Sequence, residues 1–143
     1  MPDKLALQIK NTLAEISSAN SAVTHWLRAR RVPVAADYLA NLAIEEHVTN
    51  CIKYGYDDAG EHLIEIDLEL SDTELVIHIT DDGHPFNPLE LPEPDTSVPL
   101  EQRKPGGIGI HLLRKLSDRM EHERIGEKNR LTLCKNIAGS VNG

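Results

Sequence analysis

The chain has 143 residues, a formal charge of -8 at pH 7, 40% hydrophobic residues and only 3% aromatic ones. That length suits one domain, residues 1–143, with a core built from Leu, Ile, Val and Ala. The acidic balance speaks against a nucleic-acid binder, which needs a basic face for phosphates, and is compatible with a protein partner that carries a basic patch.

Residues 4–10 alternate, with Leu5, Leu7 and Ile9 on one side, which predicts a short strand with one buried face. Asn11 or Thr12 can cap a helix, with Glu15 in its first turn. Leu13, Ile16, Ala19, Val23, Trp26 and Leu27 then recur at helical spacing up to the basic cluster Arg28–Arg31, which suits a helix C-terminus. Pro33 ends this helix and can open the next. The second helix is expected to run to about Tyr54, with Gly55 as its cap. Residues 62–70 and 74–81 alternate cleanly around Ser71-Asp72-Thr73, the pattern of an antiparallel hairpin with one apolar face.

Residues 83–105 break all periodicity and hold six prolines: Pro85, Pro88, Pro92, Pro94, Pro99 and Pro105. A loop of that length inside a compact domain is functional or disordered. Ile110, Leu113 and Leu116 give a helix to about Ser117. Two last strands follow, Met120–Ile125 and Arg130–Ile137, turned at Gly126-Glu127-Lys128-Asn129, and a loose tail from about residue 138. The order predicts an α+β fold, a two-layer α/β sandwich: a mixed, mostly antiparallel sheet with helices on one face. Cys51 and Cys134 have neither metal-ligand spacing nor a disulfide framework; both read as buried, reduced thiols, with a pairing between them left open. The N-terminus has no apolar signal core and no stretch reaches membrane-spanning length, so a cytoplasmic protein is expected.

Three stretches carry candidate chemistry. On a helix through residues 41–56, Ile44, Val48 and Cys51 share one side, while Glu46, Asn50 and Lys53 form a row on the other. That row is either a solvated face or a carboxylate, a carboxamide and an ammonium set to handle a magnesium nucleotide. Asp81 continues the inward row Leu75, Ile77, Ile79, so its carboxylate points to the helix-covered face. It serves there as a cap for backbone N–H groups, or it awaits a ligand donor such as the exocyclic amine of adenine. Gly83 leaves room for close backbone approach. Gly106-Gly107-Ile108-Gly109 opens a helix, where converging N–H groups favour an anion; no Gly-Lys-Ser/Thr follows, so it is not a Walker A loop. Arg103 and Lys104 just before it can reach a phosphate or be plain surface charge.

In this order and spacing the segments resemble the GHKL superfamily of ATP-binding domains, the Bergerat fold. Glu46 and Asn50 match its N-box, Asp81-Asp82-Gly83 its first glycine box, and Gly107-Ile108-Gly109 its second, with a mobile lid at about 84–105 between them. The chain is most similar to the small anti-sigma factor serine kinases of the RsbW and SpoIIAB kind, through Glu46–Asn50 with Gly55-Tyr56, Asp81–Pro88, and Gly106–Ile110 with Asp118. Pro85 stands where the wider superfamily has a second glycine, which suits this subgroup. Tyr54 stands where a His is frequent.

The resemblance implies Mg-ATP under the lid, with Glu46 as general base, Asn50 on Mg2+ and Asp81 on adenine. Further nucleotide contacts are implied at Lys53, Gly83, Arg103, Lys104, Gly106, Gly107, Ile108, Gly109 and Ile110. It implies phosphorylation of a serine on a small anti-anti-sigma (STAS-type) partner, and also a sequestered sigma factor and a homodimer. The competing expectation is an ATP-binding module that sequesters a partner with little phosphotransfer; the intact Glu46 favours the kinase. A detached ATPase domain of a sensor histidine kinase is disfavoured by Pro85 and by the lack of a phospho-acceptor helix hairpin.

Overall fold

The computed structural model describes residues 3–90 and 107–138. Five strands form one sheet: β1 (Asp3–Lys10), β2 (Leu63–Leu70), β3 (Glu74–Asp81), β4 (Arg119–Ile125) and β5 (Lys128–Asn136). Their spatial order is β1-β2-β3-β5-β4, and every pairing is antiparallel. The parallel component expected from sequence is therefore missing among the described residues. The reason is topological. β4 runs in the direction of β3, but the β4–β5 hairpin returns between them, so the two like-directed strands never pair.

The alternation read from sequence becomes continuous rows across the sheet. Leu5, Leu68, Ile77, Leu133 and Met120 form one row; Leu7, Ile66, Ile79, Leu131 and His122 form the next. Leu68, Ile77, Leu133, Ile66, Ile79 and Leu131 are buried in the core with the helices, and Leu5, Leu7 and Met120 pack partly buried against it. A fully buried Ile or Leu contributes about 1.5–3 kcal/mol through area removed from water, so these rows fix the register: a one-residue slip would turn them to solvent. The row that matters for function lies one step further, Asp81–Asn129–Arg124.

Helix α1 spans Leu13–Ala29 and buries Ile16, Ala19, Val23, Trp26 and Leu27, the stripe expected. Thr12 is its N-cap without a capping side-chain bond; Glu15 instead accepts from the Lys10 N–H at 2.8 Å. Leu13 lies half-exposed. At the other end Arg31 N–H bonds to Arg28 O and Val32 N–H to Leu27 O, a Schellman arrangement with Arg31 at φ 56°.

Helix α2 (Val34–Ala43) packs Ala36, Leu39, Ala40 and Ala43 inward. The helix expected to run unbroken to Tyr54 instead contains a π turn at Ile44–Val48 before α3 (Thr49–Tyr54). Gly55 closes it at φ -87°, without the left-handed conformation. A Cβ at Gly55 would lie 2.5 Å from the Cys51 carbonyl oxygen, which is why glycine is needed. Pro88–Glu90 form one 3-10 turn, and α4 spans Gly107–Leu116. The β4–β5 turn is tighter than the four residues expected: Ile125 pairs with Lys128, leaving Gly126-Glu127 with Gly126 at φ 60°. That is the II′ pattern favoured in two-residue hairpins, and it moves Asn129 from turn into strand. Both cysteines are free.

Candidate functional site

The π turn sits at the functional row itself. Such single wide turns locally change which side chains face the core. Here His47 joins Ile44 and Val48 among the buried residues, while Glu46 and Asn50 stay half-buried. Glu46 reaches α4 and lies directly against Gly109. A Cβ at Gly109 would stand 2.7 Å from Glu46 Cγ and nearer still to its carboxyl carbon and Oε2. The N-box carboxylate and the second glycine box, 63 positions apart in sequence, are thus in contact.

Asp81 is at the inward end of β3, 4% exposed. Its Oδ2 accepts the Gly83 N–H at 2.9 Å and the Asn129 amide at 3.2 Å; its Oδ1 lies 3.6 Å from the Cys51 thiol, which donates to it. The backbone cap expected as one alternative is therefore present. Two carboxylate oxygens offer about four lone-pair directions, so these bonds leave acceptor capacity on Asp81. Gly83 touches the Gly55 carbonyl so closely that a Cβ would collide with it, and would lie 2.9 Å from Asp81 Oδ2. His84 N–H bonds to the same Gly55 carbonyl at 2.9 Å.

The sequence pattern puts Asn129 in a turn and so does not single it out; ladder pairing with Asp81 and Arg124 places it in β5. It binds Asp81, donates to His84 O at 2.9 Å and accepts from Phe86 N–H at 3.2 Å. Continuing the alternation Leu133, Leu131 backward by one step would have placed it on the inward face. His47 was missed too, although it lies one turn before Cys51 on the apolar side. Burial lowers its pKa to about 4, against the pull of Asp81 and with help from His122, so its ring is neutral. Its Nδ1 has no partner. Burial, reinforced by Asp81, pushes the Cys51 thiol upward. Tyr56 stacks on His62 with ring centroids 4.2 Å apart, and its buried hydroxyl lacks a partner. Burial and then Asp81 raise the pKa of that phenol.

Lys53 lies along the α1 side. With Glu45, Thr49 and residues of α1 it lines an open groove of about 920 Å3 that contains neither Glu46 nor Asp81. Ile110 is core, 1% exposed, so only its backbone is available to a ligand. Gly107 and Ile108 form the first turn of α4. Arg103, Lys104, Gly106, lid residues 91–105 and the tail beyond Ala138 lie outside the described residues. The first part of the expected lid, residues 84–90, is tied to the sheet through Asn129. Asp118 accepts the Asn136 N–H and bonds through its own N–H to Cys134 O, holding the start of β4.

The residues present fit a magnesium nucleotide. A buried carboxylate ends one row, glycines at 83 and 109 remove side chains where the walls are closest, and Asn50 offers a hard amide oxygen near Glu46. The first turn of α4 presents N–H groups with no acceptor inside the helix.

The family description "Histidine kinase-like ATPase domain" matches residues 9–135. Among curated proteins, the serine/threonine-protein kinase BtrW of Bordetella bronchiseptica is 25% identical over 136 residues, covering 95% of this chain and 94% of that protein. An anti-sigma F factor of Clostridium botulinum is 31% identical over 90 residues, 60% of each chain. The serine-protein kinase RsbW of Halalkalibacterium halodurans is 30% identical over 84 residues, 56% of this chain and 51% of that one. These last two matches therefore span only about half to three-fifths of those proteins. Among solved structures, the RsbU and RsbW domains of Rv1364c from Mycobacterium tuberculosis align with TM-score 0.66 and 16% identity, over 93% of this chain and 32% of that one. That likeness shows the fold. Among the described residues no helix is long and apolar enough to cross a membrane.

Proposed function

The chain belongs to the histidine kinase-like ATPase domain family, and we propose that it is an ATP-dependent protein-serine kinase acting on a small anti-anti-sigma (STAS-type) protein. The observation that carries this reading is the contact of Glu46 with Gly109. It sets a carboxylate beside the helix start where a terminal phosphate would lie, and phosphoryl transfer asks for a positioned base more than for covalent chemistry.

Each residue has a part. Asp81 accepts the adenine amine, with Gly83 leaving the base room to approach. N–H groups at the start of α4 take phosphate oxygens. Glu46 accepts the proton of the attacking serine hydroxyl. Asn50 would hold magnesium, which when bound neutralises phosphate charge. Arg103 and Lys104 are assigned supporting phosphate contacts, while Lys53 faces the separate α1 groove.

The names of the relatives, two kinases and an anti-sigma F factor, support both the kinase and a sigma factor as second partner. The proposal includes a single domain over residues 1–143, a homodimer and a cytoplasmic setting. The test begins with a pull-down from native lysate, with and without ATP, followed by a phosphotransfer assay on the recovered partner. Glu46→Gln is expected to lose transfer while keeping ATP affinity and partner binding. Wild-type protein that binds the partner with ATP yet transfers nothing would instead establish a sequestering module.

A further inference from the structure

Three metal-ligating side chains converge at the floor of the cleft. His47 and Cys51 come from successive turns of one helical stretch, and Asp81 from the end of β3. Cys51 Sγ is 3.6 Å from His47 Nε2 and 3.6 Å from Asp81 Oδ1, and the ligand atoms all lie within 4.8 Å of one another. We propose that His47, Cys51 and Asp81 bind a divalent transition metal of the zinc class, and that this metal competes with adenine for the Asp81 carboxylate. The competition rests on the adenine assignment made above; the metal site does not.

The spacing is that of a coordination shell. Metal–sulfur bonds of about 2.3 Å and metal–nitrogen or –oxygen bonds of about 2.0 Å at a tetrahedral angle set S···N and S···O at roughly 3.5 Å. Two of the three edges already have that length. The donor set of thiolate, imidazole and carboxylate selects zinc and its neighbours over magnesium. It is also chemically separate from the Asn50 amide oxygen.

Electrostatics points the same way. The three residues are 4%, 7% and 4% exposed in chain order, and among the described residues Asp81 has no ion-pair partner. A buried carboxylate served only by dipoles is costly, and a bound cation supplies the missing charge. Coordination replaces the Cys51 S–H bond with a sulfur–metal bond and the proton passes to buffer, so no oxidant or reductant is required. Three protein ligands leave a fourth position for water.

The test uses the whole chain, nucleotide-free, titrated with Co2+ alone as a spectroscopic stand-in for zinc. The expected result is one cobalt per chain, with a thiolate-to-cobalt charge-transfer band that Zn2+ abolishes. Cys51→Ser should remove the band, and His47→Gln should weaken cobalt binding at least about tenfold, with urea midpoints confirming that both variants fold. ATP affinity is then compared at zero zinc and at fixed, metal-buffered free zinc; zinc should weaken ATP binding in the wild type and not in Cys51→Ser. Folded wild type without a thiolate band at saturating cobalt overturns the site, as does a band that survives Cys51→Ser. Metal binding with unchanged ATP affinity overturns the competition. Failure to bind ATP in zinc-free buffer counts against the nucleotide assignment alone.

Discussion

Alanine at position 109 offers an unusually direct test of the site, because helix propensity and catalysis should move in opposite directions. Within a helix, Gly→Ala normally stabilises by about 0.5–1 kcal/mol. Here the new Cβ would stand 2.7 Å from Glu46 Cγ, whereas carbon atoms rest about 3.5–4.0 Å apart. Glu46 must therefore retreat by about 1 Å or more. It is half-buried and turns about its own side-chain bonds, so the fold should absorb the change. The reaction should not. A displacement of that size costs about 10²-fold when geometry is the catalyst, and full loss of a general base about 10²–10⁴-fold. Gly109→Ala is expected to keep or raise the urea midpoint, hold ATP affinity within a few-fold, and cut transfer to the partner by at least about 10²-fold. Because both changes disable one group, Glu46→Gln with Gly109→Ala should be no slower than Glu46→Gln alone. Wild-type transfer by Gly109→Ala, or losses that multiply in the double variant, would refute the assignment of Glu46 as a base held by this contact.

Asp81→Asn should weaken ATP binding by about 1–3 kcal/mol, measured by calorimetry, since the amide can present a donor to the adenine amine; unchanged affinity in a folded variant removes Asp81 from that role. Asn129→Ala strips partners from Asp81, His84 and Phe86 together and should lower unfolding free energy by roughly 1–3 kcal/mol in urea. Arg31→Gly should stabilise by roughly 0.5–1 kcal/mol in the same assay, because Arg31 pays the left-handed penalty at φ 56° that glycine escapes. The hydrogen bonds of His62 to Asp58 and Asp82 raise its pKa. Its folded-state pKa thus exceeds the unfolded value of 6.5, so its stabilising contribution is full below that pH and is lost as pH rises through the raised value. An NMR titration should find that upward shift, and His62→Gln should remove this part of the pH dependence.

What was legible in the sequence depended on periodicity. Leu75, Ile77, Ile79 and Asp81 announce one inward row, and the structure buries all four. Strand pairing was legible where a short turn joined two alternating runs, as at Ser71–Thr73. The β4–β5 turn misled because Lys128 and Asn129 have turn-like chemistry, yet ladder pairing with Arg124 and Ile125 draws them into the strand. The π turn was illegible for a different reason: Ile44–Val48 has no local composition that demands it, and only packing reveals a change from four- to five-residue bonding. The burial of His47, one turn before Cys51, instead continues the apolar side that a wheel drawn at 100° per residue already gives. Contact between Glu46 and Gly109 was likewise beyond reach, since nothing in either segment encodes distance to the other.

The two readings of Asp81 that competed in the sequence need not exclude each other. Gly83 N–H and the Asn129 amide bind one oxygen, and the Cys51 thiol approaches the other. These bonds restrain both carboxylate oxygens before any ligand arrives, so less orientational freedom is lost on binding. The same arrangement explains the need for glycine at 83. Its N–H must reach Asp81 while its backbone presses on the Gly55 carbonyl, and a side chain would strike one or the other. The cap is thus the means by which the carboxylate is aimed. A substitution that removes one donor of the cap and leaves the carboxylate, Asn129→Ala, should therefore weaken ATP binding as well as the fold, and the loss in affinity should be smaller than that of Asp81→Asn, because the acceptor itself survives.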